Sequence, residues 1–238
     1  MSTIYVVLKV LKYVIMYIPA VFGVHTWLYS KSPKYYFFFV RLFSKWRDTT
    51  WNVNVEFRLN ELGDSYKKLE DVLKFKYKNS SKYSRPVNMT NKKMYDVDIF
   101  KVLVQDDFQD GQFSRNIMFL NISQLNVTLN KAEEKLRELR ELFNDIERAL
   151  RPNTVSYNLD VHFSKGKNPF YGLMVQRLGK NNITHFECFF PISAIVPRSK
   201  DGGPGSNHQV RVFKDKLTIN ETSFDIIEET ARRALLFK

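Results

Sequence analysis

Between Trp51 and Leu59 hydrophobic and polar positions alternate. Val53, Val55, Phe57 and Leu59 fall on one side, and Asn52, Asn54, Glu56 and Arg58 on the other. A period of two puts successive side chains on opposite faces, so this stretch predicts a half-buried β-strand. The alternation returns at 154–163, with Val155, Tyr157, Leu159, Val161 and Phe163 inward. Further strands are expected at 94–104, at 116–129 as one long strand or two short ones, and at about 170–178, 183–192 and 208–219. The polar stretch 78–93 and the glycine-rich 199–207 read as loops, and 106–112 as a turn.

The pattern changes period at 131–150. Leu136, Leu139, Phe143, Ile146 and Leu150 recur at spacings of three and four, the mark of an amphipathic helix. Asn130 with Glu133 forms a capping signature at its start, Glu133 and Arg137 can pair four apart, and Pro152 stops it. A short helix is expected at 64–76, and a last one runs to Phe237 behind Thr222 and Asp225. The order of elements predicts an α+β fold: a largely antiparallel sheet with helices packed on one face.

Residues 1–50 follow neither pattern. Tyr13–Ser30 holds 18 residues without Lys, Arg, Asp or Glu, the lower limit for a membrane-crossing helix, and Pro19, Gly23 and His25 weaken it further. Ser32 and Pro33 then open a second expected helix. It mixes Lys34, Arg41, Lys45 and Arg47 with Phe37, Phe38, Phe39, Phe43 and Trp46. Aromatic rings beside cations suit a lipid interface or a protein partner. The chain therefore divides into an apolar, basic helical arm at 1–50 and an α+β domain at 51–238. Two basic residues, Lys9 and Lys12, precede the uncharged stretch and five follow it. If the stretch crossed a bilayer, that asymmetry would put the domain on the cytoplasmic side.

Composition narrows the choices. Of 238 residues, 44% are hydrophobic and 26% charged, which fits a globular chain. The single cysteine, Cys188, excludes an internal disulfide, and its alternation with Phe186 and Phe190 places it inward. Six Asn-X-Ser/Thr sequons occur, at Asn79, Asn88, Asn121, Asn126, Asn182 and Asn220. Asn121 and Asn126 fall in an expected strand, where a glycan is awkward. The formal net charge of +12 bears on partners: anionic lipid, an acidic protein or nucleic acid. Between 65 and 93, Lys74, Lys76, Lys78, Lys82, Arg85, Lys92 and Lys93 belong to a basic cluster with only Glu70 and Asp71 against it. That cluster is the candidate anion-binding site.

The polar side of the sheet supplies another candidate. Asp160 with His162, and His185 with Glu187, each share a strand face, and together they would make a metal or acid–base site if their strands paired. The loop with Gly202, Gly203 and Gly205 lacks the GxxxxGK[ST] pattern of a phosphate loop and leads into a strand. No residue is assigned to catalysis or to a metal, and no small-molecule cofactor is implied. The expected function is a non-enzymatic binding or scaffold protein, held at the cytoplasmic membrane surface or in a complex through its arm. A basic nucleic-acid-binding accessory protein is the alternative, and an enzyme or metal site on the polar sheet face the third.

Overall fold

The computed structural model describes residues 2–32, 35, 38–39, 42, 48–77, 84–89, 92–97, 100–106, 116–128, 131–163, 168–179, 181, 183–197 and 208–236. Among the described residues, nine strands form one antiparallel sheet: β1 (Asp48–Arg58), β2 (Ser84–Asn88), β3 (Lys92–Val97), β4 (Phe100–Asp106), β5 (Ile117–Thr128), β6 (Thr154–Phe163), β7 (Glu187–Pro191), β8 (Gln209–Phe213) and β9 (Lys216–Glu221). Their order is β2-β3-β4-β5-β1-β6-β9-β8-β7. The α-helices with described bounds are α1 (Ser2–Lys31), α2 (Ser65–Lys76), α3 (Ala132–Leu150), α4 (Pro169–Leu178) and α5 (Phe224–Leu236). The fold is α+β, as the alternation and the helix period require.

The two strands with the cleanest alternation lie at the centre. β1 pairs with β5 on one side and β6 on the other, and Val53, Val55, Phe57, Tyr157, Leu159 and Val161 are buried. The long β5 absorbs one extra residue: Trp51 faces Leu125 but Val53 faces Ile122, and Gln124 takes a positive φ of 61°. Such a bulge bends the strand while the apolar side chains stay inward on both sides of it. The buried indole is satisfied, because Trp51 Nε1 donates to Thr49 Oγ1 at 2.8 Å and Thr49 donates to the Val127 carbonyl at 2.8 Å.

α3 lies over this centre. All five apolar positions read from its spacing are buried. Phe143 packs edge-on to Tyr157, with ring centres 5.3 Å apart, and tilts against Phe224 of α5 at 4.8 Å. α2 flanks α3 on one side through Leu69 and Leu73, and α5 flanks it on the other. Arg140 of α3 reaches Glu228 of α5 at 3.1 Å. Glu133 lies 3.6 Å from Arg232 of α5. Lys131 sits at the N-cap without a side-chain cap bond, while the expected cap Asn130 lies outside the described residues. Arg151 ends the helix in the left-handed conformation, just before Pro152.

Several expected elements differ. Residues 170–178, read as a strand, form most of the helix α4, because a short apolar run without clear period fits either state. The loop expected at 78–93 contains β2 and the start of β3; β2 is an edge strand, where Pro86, Arg85 and other exposed positions are tolerated. The strands expected at 94–104 and 208–219 are each two paired strands. In the second, the turn is fastened by buried Asn168, whose Nδ2 donates to the Phe213 carbonyl at 2.7 Å. Thr222 does not cap α5; its N–H and hydroxyl both go to Glu221 Oε1.

Candidate functional site

α1 is the most unusual surface. Every residue from Met16 to Val24 is exposed. With about 100° between neighbours, nine consecutive residues cover the whole circumference. They include Met16, Tyr17, Ile18, Val21, Phe22 and Val24, and Phe22 is 68% exposed. A helix that is apolar all round is normally surrounded by apolar material, whereas a helix resting on a domain exposes a polar back. Pro19 does not interrupt it. Among the described residues, no helix is long and apolar enough to cross a membrane.

A small cluster closes the far end of α1. His25 Nδ1 and the Tyr35 hydroxyl are 2.9 Å apart, and the Phe39 ring lies 4.5 Å from the His25 ring. Of the residues expected to bind a membrane or partner, Phe38 is exposed and Phe39 half-buried. Lys34, Phe37, Arg41, Phe43, Lys45, Trp46 and Arg47 lie outside the described residues.

The basic cluster changes character once the helices are assembled. Lys74 lies 2.7 Å from Glu70, and Arg85 of β2 lies 3.0 Å from the other oxygen of the same carboxylate. Lys76 lies 3.5 Å from Asp145 on α3. Lys93 sits over the Tyr66 ring at 4.9 Å. Burial alone would raise the Glu70 carboxyl, but the Lys74 hydrogen bond and the charges of Lys74, Arg85 and Lys93 outweigh it and hold the group below its ordinary value. Setting the cluster against Glu70 and Asp71 alone left out Asp145, which is distant in sequence and adjacent in space. Lys92 is exposed, and Lys78 and Lys82 lie outside the described residues.

Sheet order separates the two acid–histidine pairs. β6 carries Asp160 and His162, while β7 adjoins His185 and carries Glu187, and β9 and β8 lie between. Three strand spacings amount to about 14 Å, too far for shared coordination or proton transfer. Asp160 instead accepts from Thr218 Oγ1 at 2.6 Å and lies 3.6 Å from Lys216. Among the described residues, no group of three or more His, Cys, Asp or Glu could hold a metal ion. Cys188, expected inward, is exposed: β7 is an edge strand, and only its flanking Phe186 and Phe190 pack against the core.

The register also creates a feature that single strands did not show. Asn121, Asn54, Asn158 and Asn220 stand side by side on β5, β1, β6 and β9. Asn121 Nδ2 donates to Asn54 Oδ1, Asn54 Nδ2 to Asn158 Oδ1 at 3.5 Å, and Asn158 Nδ2 to Asn220 Oδ1. Asn121 and Asn220 belong to sequons; the Asn121 Nδ2, to which a glycan would be joined, donates within the row, which disfavours a glycan at that position. The visible signal was an outward Asn on each strand, but the alignment of those residues depends on register.

The chain matches no protein-family model, and no curated protein or solved structure matches it.

Proposed function

We propose that this chain is a binding or scaffold protein held at a membrane surface by α1, with the α+β domain displayed beside the lipid. The observation that carries the reading is the all-round apolar exposure of Met16–Val24. A groove-binding helix needs one apolar stripe for its protein partner. A bilayer offers apolar contact on every side, which is what this helix would need.

Two further features support lipid. Trp27, 61% exposed, and Lys31 follow the apolar section, in the order in which ring and cation meet the headgroup layer. The net charge of +12 favours the anionic cytoplasmic leaflet. The uncharged stretch is marginal for crossing, so the proposed mode is insertion from one side.

Flotation of the full chain with vesicles of phosphatidylcholine and phosphatidylserine tests this, beside a chain beginning at residue 48. The full chain is expected to float and the shortened chain to stay in the dense fraction. A full chain that stays soluble without detergent and does not float overturns the proposal.

A further inference from the structure

The face of the sheet opposite α2, α3 and α5 carries a shallow cleft of about 540 Å3. Its floor is two adjacent rungs of the sheet. One contains Asn121, Asn54 and Asn158; the next contains Phe119, Glu56 and Ser156. We infer that this cleft binds a neutral saccharide of two or more sugar units. The inference is independent of membrane attachment, since it rests on the domain alone.

Charge is the first reason. The chain carries a net +12, yet among the described residues no Lys or Arg lines the cleft, and the one carboxylate that does, Glu56, is held by Arg58 at 2.9 Å. Among the described lining residues a phosphate or sulfate would find no cation, and a cationic ligand only a carboxylate that is already paired. A neutral ligand loses nothing on either count.

Hydrogen-bonding capacity is the second. Each carboxamide has two N–H donors and two acceptor lone pairs. The interior members of the asparagine row use one donor and one acceptor along the row. One donor and one acceptor per amide therefore remain for a ligand, repeated at the strand spacing of about 4.8 Å. Because the row holds each amide plane in place, little side-chain freedom is lost on binding. Alternating donors and acceptors suit hydroxyl groups, which both give and take a hydrogen bond.

Shape is the third. The half-buried Phe119 ring adjoins Glu56 on the floor, so an apolar surface lies beside the amides, as the two faces of a sugar ring require. Ser156 is small and leaves the hollow open. The lining reaches across β4, β5, β1 and β6, a width of about 14 Å, which exceeds one sugar ring.

The test is calorimetric titration of the full chain, in a detergent without a sugar headgroup, with maltotetraose, cellotetraose and chitotetraose. At least one is expected to bind. Ser156→Trp, which fills the hollow, and Asn54→Ala, which breaks the row, are each expected to weaken that binding by about tenfold or more. Phe119→Ala provides a third variant should either of these melt early. The inference is overturned if none of the three binds, if binding persists within about twofold in the folded variants, or if inorganic phosphate competes for the cleft.

Discussion

Two phenylalanines on two helices should behave in opposite ways when cut to alanine. Phe143 of α3 is fully buried and contacts the rings of Tyr157 and Phe224. Those two rings also touch each other, with centres 5.5 Å apart, so three elements meet at one point. Removing the Phe143 ring loses its transfer free energy and leaves a cavity that α3, pinned between α2 and α5, cannot collapse. Core substitutions of this kind cost about 3–5 kcal/mol, and the lost ring contacts favour the upper half of that range. For a chain of this size the melting temperature should fall by roughly 6–20 °C. Phe75 of α2 is 87% exposed, and Phe75→Ala should cost under about 0.5 kcal/mol. Thermal unfolding followed by circular dichroism gives both numbers. A loss below about 1 kcal/mol at Phe143, or a comparable loss at Phe75, would refute the placement of α3 over the central strands.

Glu70 has a depressed carboxyl, so its pairs stabilise the fold above its ordinary value of 4.5, and that contribution disappears as pH falls through the lower folded value. Glu70→Gln should therefore be less stable than the parent at neutral pH and equal to it in strong acid, as read from urea unfolding across pH. Tyr157 is pushed upward by burial and by its hydrogen bond to Glu147, so its contribution is intact below 10.0 and lost as pH rises further. Tyr157→Phe should flatten that alkaline decline, measured in the same way. Neutralising Lys74 and Lys76 together should change the salt dependence of heparin binding by less than about one unit of slope, because both are already compensated by Glu70 and Asp145; a change near two would restore the anion-binding reading. Trp27 emission should shift to the blue and be quenched by brominated lipid on vesicle binding, whereas Trp51, fully buried in the core, should not respond.

The periodic parts of the fold were legible because burial imposes a period. β1, β6 and α3 each have one face in the core, and their apolar residues recur at two or at three and four. The Pro169–Leu178 helix was misread because FYGLMVQRL is short and densely apolar. β2 was missed because an edge strand need not alternate, and the β8–β9 hairpin because Lys214–Asp215 lacks the glycine or asparagine that usually announces a tight turn. The candidate sites divide in the same way. The apolar character of residues 13–30 could be read directly, while the exposure of Met16–Val24 on all sides depends on what the domain leaves uncovered. The asparagine row, the compensation of Lys76 by Asp145, and the separation of Asp160 from His185 all follow from strand order and helix packing, which local pattern does not encode.

A charge scan around α1 tests the lipid claim most directly. Met16, Ile18 and Val24 project to three different sides of the helix, and all are exposed. Asp at an apolar lipid-facing position costs about 2.5–3.5 kcal/mol near a helix centre, enough to remove most vesicle binding. If lipid surrounds the helix, Met16→Asp, Ile18→Asp and Val24→Asp should each abolish flotation to a similar degree. If one substitution abolishes flotation and the other two leave it unchanged, the helix meets lipid along a single stripe only, and the claim that lipid surrounds it is contradicted.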